Sequence, residues 1–189
     1  MKDRQKKGTV RIIGGKWRGR KLHFDAVEGL RPTKNMVRET LFNWLAPIIV
    51  DAICLDLFTG SGAIGFEALS RGAKYVLMID QNKKVIANLQ KNASILNAKE
   101  AEFLLAQVPC DNYKIPTHKF NLVFLDPPFN QGLIAPVCEW LKNSDFLTPD
   151  ALVYIEAEKS LTLDKIIPAI WKITRHKISG DMQYCIATS

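Results

Sequence analysis

Apolar and polar residues follow two rhythms along this chain, and the order in which they alternate predicts the architecture. Short apolar runs bounded by turn residues read as strands at Ala52–Leu57, Tyr75–Asp80, Glu102–Ala106, Phe120–Asp126 and Ala151–Ala157. Between them, apolar residues recur at helical spacing. The helices so predicted are Ala63–Arg71 (closed by Gly72), Lys83–Leu96 with Val85, Ile86, Leu89 and Ile95 inward, Leu133–Leu141, and a short Leu163–Ile167. Strands alternating with helices predict a mostly parallel sheet covered on both faces. Two last strands, Trp171–Ile178 and Met182–Thr188, turn at Ser179-Gly180-Asp181 and predict an antiparallel edge, making seven strands in all.

Upstream of Ala52 the pattern differs. Thr9–Ile13 and Lys16–Phe24 flank Gly14-Gly15 and predict a hairpin. Arg31-Pro32-Thr33 then leads into a helix carrying Val37, Leu41, Trp44 and Leu45 on one face, with Thr33 as its N-cap and Pro47 marking its end. Residues 1–50 are thus expected to form a basic N-terminal hairpin and helix, and residues 51–189 an α/β domain.

Charge sharpens that division. The formal net charge is +7, yet residues 1–38 hold 12 Lys/Arg against 3 Asp/Glu while the remainder holds 14 against 16. The whole positive excess therefore sits in the first fifth of the chain. Residues 1–7 read as a solvated tail. From Arg11 to Arg38 the basic residues alternate with Ile12, Ile13, Trp17, Leu22 and Phe24, which predicts a folded surface for a polyanion. No apolar run reaches the roughly 18–20 residues that span a bilayer, and nothing at the start resembles a signal peptide. Cys54, Cys110, Cys138 and Cys185 form no CxxC pair, so neither a zinc site nor a disulfide framework is expected, and a reducing cytoplasm fits. His23, His118 and His176 are scattered, and neither Ser61 nor Ser179 has an evident His–Asp set for hydrolysis.

Two stretches seventy positions apart carry the chemistry. In the first, the strand ending at Asp56 runs through Phe58 into Gly60-Ser61-Gly62, and Gly60, Gly62 and Gly65 satisfy GxGxxG between a strand and a helix. By itself that pattern means only a close backbone approach, and a tight strand–helix turn with a capping acid would also fit. Asp56 discriminates, because a carboxylate would repel a pyrophosphate but favour the sulfonium and amino groups of S-adenosylmethionine. Asp80, 20 positions beyond Gly60 and followed by Gln81, reads either as the acceptor for ribose hydroxyls or as a helix cap. Gln107, after the third strand, is the candidate for the adenine edge; a plain loop residue is the alternative.

The second stretch is Asp126-Pro127-Pro128-Phe129 at the end of a strand expected beside the first. Open parallel sheets bind ligands at the carboxyl ends of strands near the switch point. The prolines remove backbone donors and fix φ, so Asp126 and the Pro127 carbonyl form a nest of acceptors. An amino group on an aromatic ring needs such a nest, since its lone pair is delocalised and weakly nucleophilic. Phe129 would stack on the base, worth roughly 1–3 kcal/mol.

With those residues in place, the chain resembles the bacterial 16S rRNA guanine-N2 methyltransferase family. The resemblance runs through 11–21, Gly29-Leu30-Arg31-Pro32-Thr33, Val37-Arg38-Glu39-Thr40-Leu41-Phe42-Asn43-Trp44-Leu45, Asp56–Gly62, Glu67-Ala68-Leu69-Ser70-Arg71-Gly72-Ala73 and Asp126–Phe129. Asp-Pro-Pro-Phe alone is shared with adenine and cytosine N-methyltransferases; the Arg-Pro-Thr and Val-Arg-Glu-Thr-Leu-Phe blocks are more specific. The resemblance implies a Rossmann-like class I methyltransferase fold, S-adenosylmethionine as cofactor, and one guanine of 16S rRNA or the small ribosomal subunit as substrate; metal-ligand spacing is absent from the sequence, so no metal is expected. It places Arg11, Lys16, Arg18, Arg20, Lys21, Arg31, Thr33 and Arg38 toward RNA, with Arg31 and Arg38 nearest the catalytic crevice. A monomer is expected. Competing readings are an adenine-N6 methyltransferase on RNA or DNA, a nicotinamide-dependent oxidoreductase resting on the glycines alone, and a non-catalytic RNA-binding relative.

Overall fold

The computed structural model describes residues 7–25, 35–111, 115 and 118–189. Arg31 and Thr33, and with them the expected N-cap, lie outside the described residues. β1 (Lys7–Arg11) and β2 (Lys21–Asp25) form a small antiparallel sheet, followed by α1 (Asn35–Leu45). Then come β3 (Ile53–Asp56), α2 (Ala63–Ser70), β4 (Tyr75–Asp80), α3 (Lys83–Leu96), β5 (Ala101–Leu105) and β6 (Phe120–Leu125). α4 (Ile134–Lys142), β7 (Leu147–Glu158), α5 (Leu163–Ile166), β8 (Lys172–Ser179) and β9 (Met182–Thr188) complete the chain. The large sheet has the order β5-β4-β3-β6-β7-β9-β8, parallel except where β9 runs against both neighbours. From β3 the chain builds outward through β4 and β5, then returns to add β6 on the other side. The switch point lies between β3 and β6.

The pleat sends alternate residues to opposite faces. Cys54, Val76, Met78, Leu122, Phe124, Tyr154, Tyr184 and Ile186 pack beneath α1, α2, α3 and the hairpin. Leu55, Leu77, Ile79, Val123, Leu125, Val153, Ile155 and Cys185 pack beneath α4 and α5. Burial on both faces is why the parallel strands read as unbroken apolar runs. In α3 the expected inward set needs one correction: Ile95 is 60% exposed. The buried stripe continues instead through Asn92, Ala93 and Leu96, one turn on from Leu89. Asn92 is polar but satisfied, accepting from the His23 N–H (3.1 Å) and donating to the His23 carbonyl (2.8 Å), which fixes β2 along α3.

The hairpin belongs to the same core. Val10, Ile12, Trp17, Leu22 and Phe24 are buried against α1, α2 and α3. The expected returning strand over Lys16–Phe24 is shorter, because Gly15–Trp17 is a 3₁₀ turn and β2 starts only at Lys21. Docking on the end of α2 overrides strand pairing there. The Trp17 N–H donates to Ser70 Oγ (2.9 Å), Ser70 Oγ donates to the Gly14 carbonyl (2.5 Å), and Trp17 is buried. Gly15, at φ +73°, lies so close to the Ser70 carbonyl that a Cβ would fall 1.8 Å from its oxygen.

Glu67, inside α2 and fully buried, fastens the segment. Its carboxylate accepts from the Ile13 and Gly14 N–H groups (2.7 Å each) and from Arg71 Nε (2.8 Å), and faces Arg38 at 3.6 Å. Arg38 is 0% exposed and also donates to the Arg11 carbonyl (2.9 Å), the Ala63 carbonyl (3.4 Å) and Asn35 Oδ1 (2.7 Å). This corrects its expected role: a guanidinium enclosed on every side cannot grip RNA phosphates, and Arg38 braces α1, β1 and α2 against one another. Removing one partner leaves a buried charge uncompensated, so Glu67→Ala is expected to cost about 3–5 kcal/mol in urea unfolding. Glu100→Ala, breaking the 4.0 Å half-exposed pair with Lys16, should cost under about 1 kcal/mol in the same measurement.

Candidate active site

β3, β4, β6 and β7 present a carboxylate each at one end of the sheet, on the face covered by α1 to α3. Asp56 pairs with Met78 and Phe124, and Phe124 with Tyr154. Asp80, Asp126 and Glu156 each stand two residues further along the same pleated face. The glycine turn and the proline box therefore open at the same end of neighbouring strands. The Leu57 N–H donates to the Phe124 carbonyl (3.1 Å), tying the start of the turn to the strand two residues before Asp126.

The turn is held from below. Thr59 Oγ1 donates to Asp56 Oδ2 (3.0 Å), the Thr59 N–H to the Ile79 carbonyl (3.1 Å), and the Gly62 N–H to the Thr59 carbonyl (2.8 Å). Gly62 sits at φ +78° before α2, and a Cβ there would strike Leu89 and Phe66 at 2.6 and 2.7 Å. Asp80 accepts from the Gly60 N–H (3.2 Å) and from the Asn82 N–H (2.8 Å), while Asn82 itself caps α3. The cap is thus Asn82, and Asp80 braces the turn with lone pairs still available to a ligand.

Burial drives the electrostatics. It pushes the Asp56 carboxyl up to about 7; the Thr59 hydroxyl and Gly65 amide oppose this, and the nearby Asp126 and Asp80 charges reinforce it. Burial likewise raises Asp80, against the Asn82 and Gly60 amides. Glu156, 3% exposed, is raised by burial and by Asp126, to which it is hydrogen-bonded, and the Tyr154 hydroxyl donates to its Oε1 (2.8 Å).

Of the remaining expected residues, Phe58 is half-buried, Ser61 is buried in the turn, and Gln81 is exposed beside Asp80. Gln107 is exposed and lines a hollow of about 350 Å³ with Ala106, Pro109, Cys110 and Asp111 at the end of β5. Pro127 is buried, Pro128 exposed, and Phe129 40% exposed at the rim. The following Asn130 N–H donates to the Glu158 carboxylate, anchoring the loop to β7.

Arg11, Lys16, Arg18, Arg20 and Lys21 are exposed. The hairpin tip docks on Ser70 at the far end of α2, and Arg20 reaches the Ile95 carbonyl (3.3 Å) near the end of α3. Ala63 to Ser70 spans about 10 Å at 1.5 Å per residue, so the basic tip stands well away from the crevice. Glu156 is the site residue that the sequence reading missed. Its signal was a lone acid in an otherwise apolar strand, Leu152-Val153-Tyr154-Ile155-Glu156-Ala157.

The family described as "Conserved hypothetical protein 95" matches residues 10–188. "Ribosomal RNA small subunit methyltransferase D" of Escherichia coli is 45% identical over 177 residues, covering 94% of this chain and 88% of its own. The chain belongs to that family. The solved structure of the Escherichia coli protein yhhF superposes with a TM-score of 0.83 at 44% identity, over 96% of this chain and 98% of that one. The fold also recurs at 18% identity and a TM-score of 0.73 in a Thermus thermophilus 16S rRNA N2 G1207 methyltransferase solved with AdoMet and guanosine, over 97% of this chain and 50% of that one. The sheet order and covered faces are those of a class I methyltransferase. No helix among the described residues is long and apolar enough to cross a membrane.

The donor set fits S-adenosylmethionine. Three carboxyls (Asp56, Asp80 and Asp126) surround the glycine turn, and the Gly60 N–H is committed to Asp80. That suits a cation and opposes a pyrophosphate. Because a cation favours ionised Asp56, binding below pH 7 must displace its proton. Affinity should fall with pH below about 7, approaching tenfold per unit, while the cofactor amine stays charged below its own pKa of about 7.7–8.0. Calorimetry between pH 5.5 and 7 should show this slope in the native protein and none in Asp56→Asn. In the free protein, folding should weaken as pH rises from about 4 to 7, since the unfolded chain gives up the Asp56 proton first.

Proposed function

We propose that this chain methylates the N2 amine of one guanine in 16S rRNA, acting as a monomer in the cytoplasm on the small ribosomal subunit or its RNA. One observation carries the reading: the Asp126-Pro127-Pro128-Phe129 end of β6 opens beside the glycine turn of β3, at the switch point of the sheet. Bound S-adenosylmethionine supplies an electrophilic methyl, whose transfer trades a C–S bond for a C–N bond and leaves one amine proton to be removed.

The residues of the chain supply alignment. Asp126 and the Pro127 carbonyl accept the two amine hydrogens, which turns the nitrogen lone pair out of the ring and toward the cofactor side. Asp126 is also placed to receive the departing proton. Phe129 stacks on the base at the rim. Most of the acceleration then comes from orientation and charge placement. A guanine amine inside a helix cannot reach this pocket, so the base sits in a loop or is flipped out, at a few kcal/mol. The exposed basic tip of the hairpin binds phosphates several nucleotides from the target, and Arg31 and Thr33 contribute to binding the same RNA.

Three outcomes test the reading. Tritiated methyl transfer to 16S rRNA or isolated small subunits should yield N2-methylguanosine on nucleoside analysis; N6-methyladenosine would instead establish the adenine reading. Asp126→Ala should abolish transfer while leaving cofactor affinity within about tenfold of native. Neutralising Arg18, Arg20 and Lys21 together should flatten the dependence of log affinity on log salt by roughly 0.7 per lost single-strand contact. An unchanged slope would remove the hairpin tip from the RNA interface.

A further inference from the structure

Asp126 does not stand alone at the end of β6. β6 and β7 run in parallel register through Leu125 and Ile155, so the next residues, Asp126 and Glu156, lie side by side on one face. The two carboxyls are hydrogen-bonded to each other. Two carboxylates in contact cannot both be ionised. Asp126 is half-buried and Glu156 is buried, so the shared proton belongs on Glu156. One Glu156 oxygen accepts the Tyr154 hydroxyl at 2.8 Å. Tyr184, the antiparallel partner of Glu156 on β9, backs the pair, and Trp44 of α1 packs on Tyr184 at 5.4 Å between ring centroids.

Building on the proposed amine methylation, we propose that Glu156 is the positioning residue for Asp126: its protonated carboxyl, oriented by the Tyr154 hydroxyl, donates a hydrogen bond that points the Asp126 carboxylate at the acceptor amine. The chain Tyr154 O–H to Glu156 to Asp126 runs from the core to the reacting group. A carboxyl donor also offsets part of the repulsion between Asp126 and the neighbouring Asp56 and Asp80 carboxyls. Burial, the Asp126 charge and its hydrogen bond all raise Glu156, with only the Tyr154 hydroxyl opposing, so the proton stays on it at neutral pH. Tyr154, raised by burial, keeps its own proton throughout.

The experiment compares native protein, Glu156→Ala and Glu156→Gln in methyl transfer to small-subunit RNA, with cofactor binding and thermal unfolding measured alongside. Glu156→Ala should lower kcat roughly 10²-fold with KM and cofactor affinity little changed, as expected for a misaligned reacting group. Glu156→Gln, whose amide can donate to Asp126 and accept from Tyr154, should recover at least tenfold of that loss. As pH rises, native kcat should fall when Glu156 gives up its proton and repels Asp126, and this alkaline limb should be absent in Glu156→Gln. A kcat for Glu156→Ala within about threefold of native would overturn the proposal, as would an alkaline limb that survives in Glu156→Gln. If Glu156→Ala unfolds, the Gln pH profile decides. The substrate reading fails separately: if the native protein methylates another amine, nucleoside analysis reports it, and the Glu156 comparison still holds for that amine.

Discussion

The site depends on one constraint, the common register of parallel strands at the switch point of the sheet. At this end of the sheet each of the four strands presents an acid on the α1–α3 face, so Asp56, Asp80, Asp126 and Glu156 converge although they are separated by up to a hundred positions. A slip of one residue in β6 would send Asp126 to the opposite face, beneath α4. The apolar residues on both faces resist that slip, because every one of them would change layer with it. Core packing and active-site geometry are therefore one requirement here.

Crowding carboxyls in a half-buried crevice is costly, and the fold answers with local partners. Thr59 and the Gly65 amide serve Asp56, the Gly60 and Asn82 amides serve Asp80, and Glu156 serves Asp126. What remains is an electronegative cavity suited to a sulfonium donor. Across α2 the opposite problem arises, since the buried Arg38 needs an anion. Glu67 meets it and, through the Ile13 and Gly14 amides, locks the basic hairpin onto the body. The exposed basic hairpin is thus fixed relative to the crevice by a buried ion pair.

Much of this was legible in the sequence. Unbroken apolar runs between amphipathic stretches marked the five parallel strands, and β4, α3 and β9 appear with the expected bounds. Other elements moved by a few residues at their ends. Asp56 and Asp126 stood out because a carboxylate closing an apolar strand has few structural reasons to be there. Other features were hidden. Arg38 read as one more cation in a basic stretch, since composition cannot show that Glu67, 29 positions away, will enclose it. Ile95 is apolar but off the helical phase of the buried stripe, which runs through the polar Asn92.

The chain by itself determined which segments become strands and helices, where the glycine turn and the proline box fall, and which chemistry they suit, because these follow from local periodicity and residue type. Tertiary structure alone decided partnership. It paired Glu156 with Asp126, set Glu67 against Arg38, and carried the basic hairpin tip to the far end of α2, away from the crevice. Each of these is a contact between residues distant along the chain, set by strand order and layer packing, and no local pattern encodes either.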